Sequence, residues 1–299
     1  MKKLYILGAG ASADFFPTSY SRGYPLNNSS FISFPTTNNF IQKAIKFEKL
    51  RKGYPIFEFI AKKYNISFED LVNGEPLDIE KVYQDIYELS ESVDMENDPE
   101  GTGKAWALLW SIEGIIQELP QHYFTIYDVC ENYSVFATNI IETNSAVITF
   151  NWDTFLDEAL FKTDRWFYES GYGFEFERIY LDREQIDNRK RVSSTLLLKP
   201  HGSINWFCYR DHHSSTTDGF TGESVSDEDR SKTFLMLFSR DKIGIHPIHK
   251  RLDMAKGWKP PLKMPCGLDI IYPSKKSRAW IRMRNYILIR DKMTTLLKE

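Results

Sequence analysis

The sequence contains few cysteines and no long apolar run near its start. Three cysteines occur in 299 residues, at Cys130, Cys208 and Cys266, and no two of them form a CxxC pair. Such a sparse, odd set indicates reduced thiols and excludes a disulfide framework or a zinc site built on cysteine pairs. The apolar run Leu4–Leu7 is shorter than the roughly 7–15 residues of a secretory signal and the roughly 20 of a membrane span. We therefore expect a cytoplasmic protein that does not enter a membrane.

The sequence also lacks an excess of charge of either sign. Its 38 Lys and Arg residues nearly balance 41 Asp and Glu residues, which gives a formal net charge of −3. This balance provides no global attraction to nucleic acid or anionic lipid. A content of 42% hydrophobic and 26% charged residues is typical of a globular protein and excludes a disordered or collagen-like chain. The aromatic content of 15% is high, but it indicates cores and interfaces rather than a particular chemistry.

Apolar runs and helical periodicity follow one another in an order that predicts an α/β fold. Short apolar runs typical of strands occur at Lys3–Leu7, Ala146–Phe150, Thr195–Lys199 and Leu268–Tyr272. From about residue 40 to residue 140, apolar side chains recur at helical spacing, and Pro120 is expected to end the last of these helices. The order predicts a sheet domain that is interrupted by a helical module.

A glycine motif directly follows the first predicted strand. Residues Gly8–Ala13 match G-x-G-x-x-A, the context in which a dinucleotide pyrophosphate contacts backbone N–H groups. Dehydrogenases with this motif carry an acidic residue about 20 positions later that holds ribose hydroxyls. Here the next acid after Asp14 is Glu48, and Pro17 shortens the helix that should follow. Dinucleotide binding without hydride transfer is one interpretation, and an ordinary tight turn is the other.

Polar residues follow two further apolar strands. Asn151 and Asp153 come after Val147–Phe150, and His201 comes shortly after Leu196–Leu198. In open α/β sheets ligands bind at the carboxyl ends of the strands, and a histidine there is suited to act as a general base near neutral pH. Helix capping by Asn151 or Asp153 and a structural role for His201 remain the alternatives.

In combination, the motifs GAGAS, TFNWD and KPHGSINW resemble those of the Sir2 family, specifically the Sir2-like domains of bacterial antiphage defence proteins. The resemblance covers the first strand and roughly residues 140–210. It implies a Rossmann-like parallel sheet that binds NAD+, formed by residues 1–39 and 141–299, with a helical insertion over residues 40–140.

The same resemblance implies a role for each motif. Asn151 and Asp153 would hold the nicotinamide ribose and carboxamide, and His201 would be the catalytic base. The NAD-binding residues implied by the resemblance are Gly8, Ala9, Gly10, Ala11, Ser12, Gly202 and Ser203. Breaking the nicotinamide–ribose bond requires a base for the incoming nucleophile, which suits a histidine, and an amide can orient a hydroxyl or water without adding charge.

The lack of cysteine pairs bears on the expected reaction. Deacetylases of this family carry a zinc module built on two such pairs, so we expect no metal here and water as the acceptor. The expected activity is that of an NAD+ glycohydrolase, which gives nicotinamide and ADP-ribose in antiphage abortive infection. The alternative is a non-catalytic NAD- or ADP-ribose-binding regulatory subunit of a defence complex.

The expected partners also follow from the resemblance. We expect a hetero-oligomer with a second defence protein, either an ATPase or a nucleotide-processing enzyme, with a homo-oligomer as an alternative. The basic segment Lys275–Arg290 leaves nucleic-acid binding open as a further alternative, although a solvated helix face is the favoured explanation.

Overall fold

The computed structural model describes residues 3–8, 10–13, 35–73, 77–93, 97–124, 131–176, 178–181, 184–186, 191–209, 233–237, 266–270 and 284–298. The helices are α1 (Gly10–Ala13), α2 (Phe40–Ile45), α3 (Glu48–Gly53), α4 (Ile56–Tyr64), α5 (Phe68–Asn73), α6 (Ile79–Ser92), α7 (Pro99–Phe124), α8 (Glu131–Glu142), α9 (Phe155–Phe161), α10 (Tyr168–Gly171) and α11 (Arg284–Leu296). The strands are β1 (Leu4–Leu7), β2 (Ala146–Thr149), β3 (Arg178–Leu181), β4 (Glu184–Ile186), β5 (Leu197–Leu198), β6 (Gly202–Tyr209), β7 (Thr233–Leu237) and β8 (Cys266–Ile270).

Three of the strands form a small parallel sheet in the order β1-β2-β5. Leu4 pairs with Ala146, and Val147 pairs in turn with Leu197, so β2 lies in the middle. Val147 and Ile148 of β2 and both leucines of β5 are buried, as expected for parallel strands that are covered on both faces. This sheet and the mixed helical and strand content are compatible with an α/β fold.

The remaining strands form a second, mixed sheet in the order β4-β3-β7-β6-β8. The pair β3–β7 is parallel, whereas β6 runs antiparallel to both β7 and β8. The late strand expected at Leu268–Tyr272 therefore does not extend the parallel sheet: it occurs as β8 and pairs with β6. Residues 271 and 272 lie outside the described part of the chain.

Helices α2 to α8 separate β1 from β2 along the chain. Helix α6 is amphipathic, since Ile79, Val82 and Ile86 are buried on one face. Helix α7 continues through Pro120 to Phe124, so the expectation that the helix ends before this proline is wrong. None of the described helices is long and apolar enough to cross a membrane.

One hydrophobic cluster joins these helices to the parallel sheet. Ile41 and Ile112 belong to it together with Val147 and Leu197, and all four side chains are buried. Truncating a buried Ile or Leu side chain to alanine typically lowers the free energy of unfolding by about 2–5 kcal/mol. The division into a sheet domain and a helical insertion over residues 40–140 stays a prediction, but the two parts share this core.

Part of the high aromatic content packs around Trp206 within the same core. Tyr172, Phe174 and Phe176 contact the Trp206 ring edge to face, with ring centroids 5.0, 5.1 and 5.7 Å away, and Trp166 packs on Tyr172 at 5.1 Å. All five side chains are buried. These aromatics therefore serve the protein's own packing.

Candidate functional site

The parallel sheet brings the three sequence motifs to one edge. Strands β1, β2 and β5 are adjacent and parallel, so their carboxyl ends meet. The glycine motif follows β1, Asn151 and Asp153 follow β2, and His201 follows β5. A backbone hydrogen bond of 3.0 Å from the Phe150 N–H to the Leu7 carbonyl ties the ends of β1 and β2 together.

The Ser12 hydroxyl lies at the centre of a buried hydrogen-bond network. It donates to Asp153 Oδ2 at 2.7 Å and accepts from Asn151 Nδ2 at 2.8 Å. The Tyr133 hydroxyl lies 3.0 Å away and is the donor of that pair, because the single hydroxyl hydrogen of Ser12 is used by Asp153. Ser12 thus has its one donor and two acceptor positions filled and holds Asn151 and Asp153 in place.

The network also fixes the orientation of the Asn151 amide. Because Ser12 can only accept from this side chain, the nitrogen faces Ser12 and Oδ1 points away from it. Asn151 is 7% exposed, and its Oδ1 is buried without a hydrogen-bond partner among the described residues. Leaving a buried acceptor unsatisfied costs about 1–3 kcal/mol, and such an atom in a native protein requires an explanation.

Asp153 is buried but well supported by hydrogen bonds. Its Oδ2 accepts from Ser12, and its Oδ1 accepts from the Phe155 N–H at 3.1 Å, at the start of α9. Burial raises the pKa of Asp153 above its usual value, an effect that the positive charge of Lys199 and these hydrogen bonds partly oppose. The N-cap of α9 is Thr154, so Asp153 precedes the cap and bonds the first N–H of the helix, alongside its contact with Ser12.

A buried ion pair lies beneath this network. Lys199 and Asp157 are 0% and 1% exposed, and the Lys199 ammonium lies 3.3 Å from both carboxylate oxygens. The same ammonium donates to the backbone carbonyl of Asp153 at 2.5 Å, and the Tyr172 hydroxyl donates to Asp157. Burial raises the pKa of Tyr172 well above its usual value, so the phenol remains a donor. The ion pair therefore anchors the backbone that carries Asp153.

His201 lies beside this network rather than within it. It is half-buried, and its ring packs edge to face on Phe150 with centroids 5.0 Å apart. Burial lowers the pKa of His201, which favours the neutral imidazole. The two residues after His201 have local structural roles. Gly202 has a φ of +78°, which favours glycine, and the Ser203 hydroxyl donates to the Trp152 carbonyl at 3.2 Å.

The glycine motif leaves open space beside the sheet edge. Gly8, Gly10 and Ala11 are exposed, and the Ala11 N–H donates to the Gly8 carbonyl at 2.9 Å. A Cβ added to Gly8 or Gly10 would meet no atom of the described residues within 4 Å, and neither residue has a positive φ. Neither local conformation nor described neighbours therefore require glycine at these positions. Ala9 lies outside the described residues.

A cavity opens next to Asn151. It encloses about 60 Å³, well below the roughly 300–1,000 Å³ of small-molecule sites, so a ligand of that size would have to extend beyond it. The carboxyl edge of the sheet and the residues near it contribute Ser12, Phe150, Asn151, Trp152, Asp153 and Ile204. The other lining residues are Pro35, Thr36, Thr37, Phe40, Glu80 and Ile116. His201 is not among the lining residues.

Glu80 is the ionisable cavity residue that the sequence motifs missed. It lies in the first turn of α6, and its backbone N–H donates to the capping carboxylate of Asp78 at 2.9 Å. Burial raises the pKa of Glu80 to about 7, and the charge of Asp78 adds to this shift. The sequence indicated only a helix start there, because no local pattern reveals that residue 80 faces the end of β2.

No family model matches this chain, and no curated protein matches it. Within the part of the chain that the structure describes, no group of three or more His, Cys, Asp and Glu side chains is placed to hold a metal ion. The functional interpretation accordingly depends on the cavity and the motifs around it.

Proposed function

We propose that this protein is a Sir2-like NAD+ glycohydrolase with a Rossmann-like NAD-binding domain, which cleaves NAD+ to nicotinamide and ADP-ribose. The observation that carries the proposal is Asn151, which lines the cavity and whose buried Oδ1 has no hydrogen-bond partner among the described residues. This oxygen needs a hydrogen-bond donor. The nicotinamide end of NAD+ offers a carboxamide NH₂ group and ribose hydroxyls, which are donors of the required kind.

The glycine motif supports a dinucleotide in particular. The open space beside Gly8 and Gly10 allows a pyrophosphate to approach backbone N–H groups without meeting a Cβ. Ser12 contributes by holding Asn151 and Asp153, since its hydroxyl is already saturated by protein groups. Phosphate contacts are therefore assigned to the backbone of Gly8 and Gly10, since the Ala11 N–H already donates to the Gly8 carbonyl.

The reaction requires one water and one base. The C1′–N bond breaks with its electron pair moving to the ring nitrogen, so nicotinamide leaves as a neutral molecule. The water oxygen bonds to C1′, and its proton is accepted by His201, whose lowered pKa keeps the imidazole neutral near pH 7. Asn151 orients the ribose or the water without adding charge.

The test is an assay of NAD+ loss and nicotinamide release by the purified protein. We expect turnover by the wild type and its loss in Asn151→Ala and His201→Ala. Asn73→Ala is the matched control, because Asn73 is exposed at the end of α5 and is not among the cavity-lining residues. Intact NAD+ in every condition, or equal turnover in Asn151→Ala, would contradict the proposal.

A non-catalytic NAD- or ADP-ribose-binding regulatory subunit is the second candidate. It is favoured by the position of His201, which packs on Phe150 and does not line the cavity. Calorimetric binding of NAD+ without turnover, with the partner present, would support this candidate against the hydrolase.

The biological setting is proposed from the resemblance. The protein would act as an effector of antiphage abortive infection, controlled by a second defence protein that is an ATPase or a nucleotide-processing enzyme. Copurification from the native operon, followed by the NAD+ assay, tests the partnership. Residues 275–283 of the basic tail lie outside the described residues, and salt-dependent DNA binding by the full chain would indicate the nucleic-acid alternative.

A further inference from the structure

The helical segment contributes a carboxyl group to the cavity that contains Asn151. Glu80 lines the cavity from the first turn of α6, while Ile79 and Val82 of the same helix are buried in the core. The Asp78 side chain caps the helix through the Glu80 N–H, which fixes the backbone position of Glu80. Glu80 is thus held at the cavity, which Asn151 and Asp153 also line, by a well-anchored helix start.

The Glu80 carboxyl group is the less engaged of the two carboxyl groups that line the cavity. Asp153 accepts hydrogen bonds from Ser12 and from the Phe155 N–H. Glu80 has no side-chain hydrogen bond or ion pair within the described ranges, and Asp78 is the charged group that acts on it. Burial raises the pKa of Glu80 to about 7, so the ionised carboxylate is disfavoured in the free protein.

The glycine motif, in turn, lacks its acidic partner in the sequence. In dinucleotide sites of this type an acid accepts hydrogen bonds from a ribose hydroxyl pair, and none occurs about 20 residues after Gly10. A carboxylate has two acceptor oxygens, which match the two donors of a vicinal diol. A carboxyl group from a distant part of the chain can meet the same requirement if it faces the same cavity.

We infer that Glu80 accepts hydrogen bonds from a ribose hydroxyl pair of the bound dinucleotide and so replaces in space the acid that is missing from the sequence. The inference rests on the proposed function, because it takes the ligand of this cavity to be NAD+ or ADP-ribose. It assigns a ligand-binding role to the helical segment between β1 and β2.

This role predicts opposite effects on stability and on binding. In the free protein near pH 8 the Glu80 carboxylate is ionised, half-buried and unpaired, so Glu80→Gln removes an unfavourable charge and does not lower the unfolding temperature. With ligand bound, the same substitution weakens two charge-assisted hydrogen bonds. A residue that served only the fold would lose stability and binding together.

The experiment is calorimetric titration with ADP-ribose, which is the product and is not consumed. We expect Glu80→Gln to bind at least about tenfold more weakly than the wild type. Glu88→Gln is the matched control on the same helix, since Glu88 is exposed and bonded to Gln84, and it should bind normally. Two ADP-ribose analogues, each lacking the hydroxyl pair of one ribose, identify which ribose Glu80 contacts. For the analogue that lacks the contacted pair, the wild type and Glu80→Gln should bind with equal affinity.

The outcomes separate this inference from the proposed function. Wild-type affinity in Glu80→Gln overturns the role of Glu80 and leaves the NAD+ site standing. A lower unfolding temperature of unliganded Glu80→Gln near pH 8 assigns a structural role and also overturns the inference. Failure of the wild type to bind either ADP-ribose or NAD+ overturns the proposed function and the inference with it.

Discussion

Replacement of Lys199 by methionine tests whether the buried ion pair supports the site. Methionine keeps the length of the side chain but removes the ammonium group that lies 3.3 Å from the Asp157 carboxylate. Both residues are almost fully buried, so Asp157 would be left as an unpaired charge away from water. Breaking such a pair from one side typically costs about 3–5 kcal/mol.

The control is an ion pair on the surface. Lys52 lies 2.5 Å from Glu48 one helical turn away, with side chains 71% and 68% exposed. Exposed pairs at this spacing contribute about 0.3–0.5 kcal/mol, so Lys52→Met should change the unfolding free energy about tenfold less than Lys199→Met. Urea denaturation, followed by circular dichroism, measures both variants.

The double variant Lys199→Met/Asp157→Asn tests the cause of the loss. The asparagine amide has no charge, and its oxygen still accepts from the Tyr172 hydroxyl. We therefore expect the double variant to be more stable than Lys199→Met alone by about 2 kcal/mol. Equal or greater destabilisation in the double variant would refute the view that an unpaired buried charge is the main cost.

Four further predictions follow from the same contacts. Gly8→Ala should leave the thermal unfolding temperature unchanged but weaken ADP-ribose binding in calorimetry, because the added Cβ meets no described atom but occupies the ligand's space; normal binding would contradict this. Gly171→Ala should destabilise the fold by about 1–3 kcal/mol in urea, because its Cβ would overlap the Trp166 ring; wild-type stability would contradict it. The pKa of Glu80 is raised to about 7, so the folded state binds an extra proton between about pH 4.5 and 7, and the stability that this proton contributes is lost as pH rises through that window. Denaturation across this range should therefore show the wild type losing more unfolding free energy than Glu80→Gln, and parallel curves would argue against it. Ser12→Ala should lower nicotinamide release in the NAD+ assay, because the Asn151 amide loses its acceptor, and unchanged release would speak against a positioning role.

Local patterns in the sequence predicted the elements that local forces determine. The apolar run Leu4–Leu7, ended by a glycine, is a strand, and the run from Ala146 forms the strand beside it. The helical spacing of Ile79, Val82 and Ile86 likewise matches the buried face of α6. In each case the alternation or spacing of apolar residues is set by which face is buried, and that is visible in a single segment.

Non-local pairings were not predictable in this way. The sequence indicated a strand near Leu268 but not its antiparallel partner β6, because the pairing depends on residues about 60 positions away. Helix α7 continues past Pro120 although a proline inside a helix removes one hydrogen bond, and Ile112, Ile116 and Leu119 of the preceding turns are buried.

The site, like the fold, was predictable from the sequence only where a single segment determines it. The position of Asn151 and Asp153 after an apolar strand indicated the sheet edge, and the structure joins both to Ser12. The unsatisfied Asn151 oxygen and the approach of Glu80 could not be inferred, because both depend on how the helices pack on the sheet.

The most direct test of the central claim is kcat/KM for nicotinamide release from NAD+ by the wild type, Asn151→Ala and Asn73→Ala, each with its copurified partner. We expect measurable turnover in the wild type and in Asn73→Ala. In Asn151→Ala we expect a loss of at least about tenfold, because the substrate donor no longer meets its acceptor. Equal values in all three proteins, or no turnover in any, would contradict the claim that this cavity binds and hydrolyses NAD+.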